Sequence, residues 1–320
     1  MPLLNHSDYH IPFWLINEHW ETILPGILRK PKPLSYTRER ITTADGDFLD
    51  LDFVYHGHKR IVILSHGLEG HSDKYYMRGM AHRFLKNGWD TLSWNCRSCS
   101  EEINLKPKLY HHGATEDFEE VIHYTISKGY ESIVLIGFSL GGSLVVKYLG
   151  ENGTNTPSEI KSGVAFSIPC QLGSCSNKLS EQGNEFYLNR FLKKLKAKIK
   201  IKAIQFPEVY DISGIDEIAN FHDFDSRYSA PINGFNSAEE FYTYASAGNY
   251  IAGIKTPTLL VNSLNDPMFP DDCYPFEAAK INNNFYLETP KEGGHIGYWW
   301  PGMSSSWAEK RAYEFVSKFI

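Results

Sequence analysis

The chain has 320 residues, of which 42% are hydrophobic and 22% are charged. This length and composition predict a globular protein with one large core, or a core with a smaller appendage. The formal net charge of -6 gives no sign of the basic surface typical of nucleic-acid-binding proteins. The sequence has no run of about 18 apolar residues, so it predicts no transmembrane helix.

The N-terminus and the cysteines indicate where the protein works. Residues 1–10 have neither the basic nor the apolar region of a secretory signal. Five cysteines, an odd number, fit a reducing compartment better than a disulfide framework. We therefore expect a cytoplasmic protein.

After an aromatic-rich leader over residues 1–30, strand-like and helix-like segments alternate along the chain. Residues 36–42 and 48–55 predict two strands joined by a hairpin turn at residues 45–47. Six more strands are predicted at residues 61–65, 89–94, 132–136, 163–168, 258–262 and 284–288. Helices are predicted between and after them at residues 74–86, 115–128, 140–149, 271–280 and 305–320. The alternation predicts a mostly parallel eight-stranded sheet with helices on both faces.

Residues 169–249 interrupt this alternation. They contain no buried-strand run and are rich in charge, aromatic side chains and helical spacing. We interpret them as a mainly helical cap inserted over one end of the sheet. Residues 1–168 and 250–320 then form one core domain, on which the leader of residues 1–30 packs.

The predicted nucleophile is Ser139, in the motif Gly137-Phe138-Ser139-Leu140-Gly141. The motif follows a buried-strand run and leads directly into a helix, which is the context of a nucleophile elbow in the α/β-hydrolase fold. Such a turn holds the serine oxygen exposed, and the start of the helix directs backbone N–H groups at a developing oxyanion.

A serine hydroxyl needs a base, and in this fold the chain order is serine, then an acid, then histidine. His295 lies in a Gly293-Gly294-His295 loop between the last strand and the last helix, so we assign it as the general base. Asp266 directly follows a strand and is our choice for the orienting acid. Asp271 and Asp272 are rivals that better fit the first turn of the following helix.

The loop of residues 65–70, Ser-His-Gly-Leu-Glu-Gly, follows the third predicted strand and is the expected source of a second oxyanion donor. We expect the backbone N–H groups of Leu68 and Leu140 to form the oxyanion hole. His66 is expected to support this loop and not to take part in the chemistry.

These motifs together resemble the α/β-hydrolases of the YheT and plant embryogenesis-associated type, also called AB hydrolase family 4. The resemblance covers nearly the whole chain. It extends to the leader motif at residues 17–25, to Tyr110, Gly113 and Asp117, and to residues 224–235. The chain departs from the family at Ser98, where a glycine is usual, and at Asn265, where an aspartate is frequent.

The resemblance implies an esterase or lipase that cleaves acyl esters, in some relatives glycerolipids, without a metal or an organic cofactor. We expect a serine carboxylesterase of lipase type that acts on short-to-medium acyl esters through an acyl-enzyme. The alternatives are other serine-dependent chemistry on thioesters, amides or acyl acceptors, and a non-catalytic ligand-binding member of the fold.

The strongest charge run covers residues 193–202 and has helical apolar spacing. It has two interpretations: a solvated face of a cap helix, or a contact with an anionic membrane surface that carries lipid substrate.

Overall fold

The computed structural model describes residues 3–4, 7–15 and 17–320. Its strands are β1 (Leu3–Leu4), β2 (Thr37–Thr42), β3 (Phe48–Val54), β4 (Arg60–Ser65), β5 (Asp90–Asn95), β6 (Ser132–Phe138), β7 (Ile160–Phe166), β8 (Thr258–Val261) and β9 (Phe285–Glu288). They form one sheet in the order β1-β9-β8-β7-β6-β4-β5-β3-β2. Strand β3 pairs antiparallel with both β2 and β5, and every other pairing is parallel.

The sheet has nine strands, so the predicted number of eight is wrong by one. The additional strand is β1, in which Leu3 pairs with Leu287 and Leu4 pairs with Glu288. Two residues are too few to show the alternating pattern from which strands are predicted. Backbone hydrogen bonds at the open edge of β9 hold this short segment.

The helices alternate with the strands and lie on both faces of the sheet, as predicted. They are α1 (Glu18–Leu28), α2 (Tyr75–Leu85), α3 (Thr115–Ser127), α4 (Leu140–Asn152), α5 (Leu172–Leu179), α6 (Glu185–Gln205), α7 (Phe221–Phe224), α8 (Ala230–Ile232), α9 (Ala238–Ala245), α10 (Phe276–Ile281) and α11 (Trp307–Val316). Helices α2 and α11 contribute to the core on one face, and α3, α4 and α10 to the core on the other.

The central strand β6 shows why the sheet needs helices on both sides. Ile133 and Leu135 belong to one hydrophobic core, whereas Val134 and Ile136 belong to the other. Successive side chains of a strand point to opposite faces, so a continuous apolar run is stable only where both faces are covered.

Two helical segments differ from the prediction. Helix α1 lies inside the leader, where no helix was predicted, and it contains Pro25. The single helix predicted over residues 271–280 is instead a short 3-10 turn (Asp271–Cys273) followed by α10. Pro275 separates the two because the residue before a proline avoids the helical conformation.

The structure shows how the chain accommodates Ser98 at a position where the related family usually has glycine. Ser98 has a φ of 60°, in the left-handed region that favours glycine. Its hydroxyl donates to Asn104 Oδ1 (2.5 Å) and accepts from the Asn104 backbone N–H (3.1 Å). These bonds stabilise a loop conformation that a glycine adopts more easily.

The chain between β7 and β8 is helical, from α5 through α9. This segment has a hydrophobic cluster of its own, to which Leu188, Leu192, Ile199, Tyr210 and Phe224 belong. Across the described part of the chain, no helix combines the length and the apolar character needed to span a membrane.

Candidate active site

The candidate site is built on the turn from β6 to α4. Ser139 has a φ of 51° and a ψ of -122°, a strained conformation for a residue with a side chain. A Cβ at Gly137 would overlap the backbone of Gly141, and one at Gly141 would overlap the backbone of Ser65. The Ser139 N–H donates to Phe166 O (2.8 Å) and so joins the turn to β7. Close backbone packing therefore explains both glycines of the motif.

The structure brings Ser139, His295 and Asp266 together. Asp266 Oδ2 lies 2.8 Å from His295 Nδ1, and His295 Nε2 lies 3.1 Å from Ser139 Oγ. Asp266 is only 4% exposed, and its Oδ1 accepts from the Met268 N–H (3.0 Å). With Nδ1–H donating to Asp266, Nε2 is the acceptor that faces the Ser139 hydroxyl.

The rival acids lie outside this arrangement. Asp271 and Asp272 are both exposed, and Asp272 Oδ2 accepts from the Ser174 hydroxyl (2.5 Å). The order of the chain and the position in the loop after β8 are the signals that distinguish Asp266 from them.

The loop of residues 65–70 passes next to Ser139, since a Cβ on Gly67 would lie 3.2 Å from Ser139 Cβ. Within it, the Gly67 N–H donates to Tyr76 Oη (3.1 Å) and the Glu69 N–H to Tyr110 Oη (2.8 Å). The N–H of Leu68 between them has no hydrogen-bond partner among the described residues.

Leu140 is the first residue of α4, and no described group accepts a hydrogen bond from its N–H either. Two free backbone donors thus come from the two segments that flank Ser139. This is the composition of an oxyanion hole in this type of turn.

His66 fixes the shape of the same loop. Its Nδ1–H donates to Gly67 O (2.8 Å), and its Nε2 accepts from the Cys96 N–H (3.1 Å). Burial lowers the pKa of His66 to about 3, so the ring stays neutral and keeps both bonds. It is a loop support, placed as expected.

The loop that carries His295 is held by helix α1. The His295 N–H donates to Thr22 Oγ1 (2.9 Å), and the Gly293 N–H donates to Glu21 Oε2 (2.5 Å). The Asn265 amide bridges helix α1 and the His295 loop. Its Nδ2–H donates to Glu21 Oε1 (2.9 Å), and its Oδ1 accepts from the Gly294 N–H (3.0 Å). An aspartate at position 265 has no hydrogen to donate to Glu21 when it is ionised.

The positions of Glu21 and Thr22 beside the site were not predicted from the sequence. Glu21 is 2% exposed, and burial raises its pKa to about 7. Its two carboxyl oxygens are the acceptors for Gly293 and Asn265. The motif at residues 17–25 is part of the family resemblance, but the sequence assigns no role to Glu21 or Thr22 within it.

A small apolar cavity of about 70 Å³ reaches Ser139 and His295. It is lined on the side of the helical segment by Leu172, Leu179, Phe191 and Phe221. Tyr298, one of three aromatic residues after His295, packs in the core against Tyr9 and Trp307 instead. No group of three or more histidine, cysteine or acidic side chains among the described residues is arranged to hold a metal ion.

Comparisons with known proteins identify the family of this chain. A family model described as the alpha/beta hydrolase fold matches residues 60–301. The chain belongs to the α/β-hydrolase fold family. It is 30% identical to phospholipase ABHD3 of Bos taurus over 98% of this chain and 79% of that protein. It is 26% identical to the putative esterase YheT of Escherichia coli over 95% of this chain and 91% of that protein. The predicted resemblance to this type of α/β-hydrolase is confirmed.

A solved structure supports the fold independently. The esterase Pf2001 of Pyrococcus furiosus superposes with a TM-score of 0.60 over 91% of this chain and 98% of that one, at 20% identity. Together with the family model, this confirms the predicted α/β-hydrolase architecture.

The support that α1 gives to the His295 loop can be tested by its stability. We expect Glu21→Ala to lower the free energy of unfolding by about 1–3 kcal/mol, because it leaves the buried Gly293 N–H and the partly buried Asn265 amide N–H without an acceptor. Urea denaturation measures this change. The matched control is Glu18→Ala, on the same helix, whose half-exposed carboxylate should matter by less than about 1 kcal/mol. Equal effects of the two substitutions would contradict the interpretation.

Proposed function

We propose that this α/β-hydrolase is a serine-dependent carboxylic ester hydrolase that works through an acyl-enzyme. The observation that carries the proposal is the chain of two hydrogen bonds that links Asp266 to His295 and His295 to Ser139. The names of the relatives, a phospholipase and a putative esterase, support ester substrates.

In the proposed mechanism, Ser139 Oγ attacks the ester carbonyl carbon while His295 Nε2 takes its proton. Asp266 holds the imidazole in the required tautomer and stabilises the imidazolium. The N–H groups of Leu68 and Leu140 bind the oxyanion of the tetrahedral intermediate. His295 then gives the proton to the leaving alcohol, and water hydrolyses the acyl-enzyme by the same route.

We further propose that residues 169–249 form a cap whose helices enclose the acyl chain. Helix α5 supplies Leu172 and Leu179 to the apolar cavity, α6 supplies Phe191, and α7 supplies Phe221. Among the other cap residues, Leu192, Tyr210 and Phe224 pack with one another in the cluster internal to this segment. The small volume of the cavity favours short-to-medium acyl chains.

Replacement of the nucleophile should abolish turnover and leave the fold intact. We expect Ser139→Ala to lose hydrolysis of p-nitrophenyl butyrate and labelling by a fluorophosphonate probe, with nearly unchanged thermal stability. The control is Ser143→Ala, one turn further along α4, whose buried hydroxyl has no hydrogen-bond partner among the described side chains. Residual turnover above a few per cent in Ser139→Ala would refute the assignment.

The acid is tested by three matched substitutions. Asp266→Asn should lower kcat by about 10⁴-fold, the size of the loss known for the corresponding change in a serine protease. Asp271→Asn and Asp272→Asn, which alter exposed carboxylates close by, should keep kcat within about twofold because exposed charges contribute little. The reverse pattern would place the acid on the 3-10 turn.

The cavity predicts how the rate depends on the acyl chain. Each buried methylene contributes about 0.8 kcal/mol, so kcat/KM should rise from p-nitrophenyl acetate to a short-to-medium ester and fall towards palmitate. Leu172→Phe fills the cavity and should move the optimum to a shorter chain. Leu105→Phe, at an exposed site, should not move it. A steady fall in kcat/KM from acetate onward would count against the acyl pocket and would leave the triad assignment standing.

A further inference from the structure

A second and larger cavity, of about 400 Å³, also reaches Ser139 and His295. Leu68, Phe191 and Met268 line both cavities, so the nucleophile lies where the two meet. The walls of the two cavities otherwise differ in character. The first is closed mainly by apolar side chains of the helical segment, whereas the second combines apolar side chains and tyrosines with three cations.

The cations of the second cavity are Lys74, Arg190 and Lys194. Arg190 and Lys194 are one turn apart on α6, and Lys74 is the residue that precedes α2. None of the three has a carboxylate within 4.0 Å among the described residues.

The carboxylate of Glu69, which lines this cavity, already has hydrogen-bond donors other than the three cations. Glu69 Oε1 accepts from Lys198 Nζ (2.7 Å) and from Tyr110 Oη (2.8 Å). Among the groups that the structure describes, Lys194 Nζ donates only to the backbone oxygen of Glu69 (3.2 Å), which positions the ammonium group without neutralising it. The described side chains therefore leave three positive charges facing one space.

The three positive charges repel one another. Burial lowers the pKa of Lys74, and the charges of Lys194 and Arg190 lower it further. An anion that hydrogen-bonds to cations lining one cavity without acidic partners relieves their mutual repulsion. A guanidinium group with two ammonium groups suits the several oxygens of a phosphate better than a single carboxylate.

We infer that Lys74, Arg190 and Lys194 form a subsite for a phosphate group carried on the alcohol side of the ester substrate. The inference rests on the proposed function and specifies its substrate class. The acyl chain occupies the apolar cavity, so the alcohol portion extends into the second cavity, which also reaches Ser139 and contains the three cations. A water-soluble phosphorylated ester and a lipid with a phosphate headgroup present the same chemistry to these three side chains.

The test compares two esters that differ only in the phosphate: 1-hexanoylglycerol and 1-hexanoylglycerol 3-phosphate, both as monomers. The wild-type kcat/KM should be at least about tenfold higher for the phosphorylated ester, mainly through a lower KM, because three charge-assisted contacts form. In Arg190→Gln/Lys194→Gln and in the triple variant with Lys74→Gln, this ratio should fall towards one. Added salt should lower the ratio in the wild type.

Lys193→Gln is the matched control, because Lys193 is an exposed lysine of the same helix that does not line the cavity. It should keep the wild-type ratio. A wild-type ratio near one, or a ratio unchanged in the triple variant, would overturn the inference.

Binding without turnover separates this inference from the proposed function. Calorimetric titration of Ser139→Ala with sn-glycerol 3-phosphate should detect binding, and adding Arg190→Gln should weaken it about tenfold or more. Arg190 is exposed, so this substitution does not threaten the fold. If no ester is hydrolysed but this binding pattern holds, the proposed function fails and the anion site stands. If esters are hydrolysed but no binding is detected, the anion site fails alone.

A last arm identifies the source of the phosphate. Dioleoylglycerol 3-phosphate and dioleoylglycerol are each offered in dioleoylphosphatidylcholine vesicles, and the preference for the phosphorylated ester in vesicles is compared with the preference measured for the hexanoyl monomers. A larger preference in vesicles assigns the subsite to a lipid headgroup, and a larger preference among the monomers assigns it to a water-soluble ester. Either result supports the site, provided that the ratio depends on Arg190 and Lys194.

Discussion

The turn at Ser139 is the constraint on which the rest of the site depends. A residue with a side chain at a φ of 51° costs about 1–3 kcal/mol, and it persists only where the surroundings fix it. Here Gly141 packs directly on the end of β4, and the Ser139 N–H is bonded to β7. The same close packing brings the loop after β4 alongside the start of α4. One backbone arrangement therefore sets both the hydroxyl and the two free N–H donors around it.

The parts of this site that could be predicted from the sequence are those with a local signal. The apolar run before Gly137, the two glycines and the helix after them define the turn without any distant contact. Chain order then identifies His295 and Asp266. The role of α1 has no such signal, because its contacts join residues 244 and 272 positions apart. A buried glutamate in a segment that contains a proline gives no periodic pattern, although it holds the histidine loop.

The basic segment on α6 is a second case in which the sequence predicts the element but not its distant contacts. Its spacing correctly predicted a helix, but the spacing does not tell which cations face inward. Lys198 pairs with Glu69, and Lys202 donates to the backbone oxygens of Asn104 (2.5 Å) and Lys106 (2.6 Å). Burial lowers the pKa of Lys202 to about 8. The acceptors for Lys198 and Lys202 belong to loops of the core that no local sequence pattern links to α6. Contact of the outward-facing lysines with a membrane stays a prediction.

The two cavities also suit the order of events in the proposed mechanism. After the first step the acyl group remains because it is esterified to Ser139 Oγ, with its chain in the apolar cavity. The alcohol is held by charges that water and ions can screen, and it leaves from the larger cavity. Because His295 lines that cavity as well, the water that hydrolyses the acyl-enzyme can reach the base through the space that the alcohol has left. An apolar cavity for the acyl chain and a larger cavity with three cations for the alcohol, both reaching Ser139, thus suit a two-step reaction, in which one product must leave before the second nucleophile arrives.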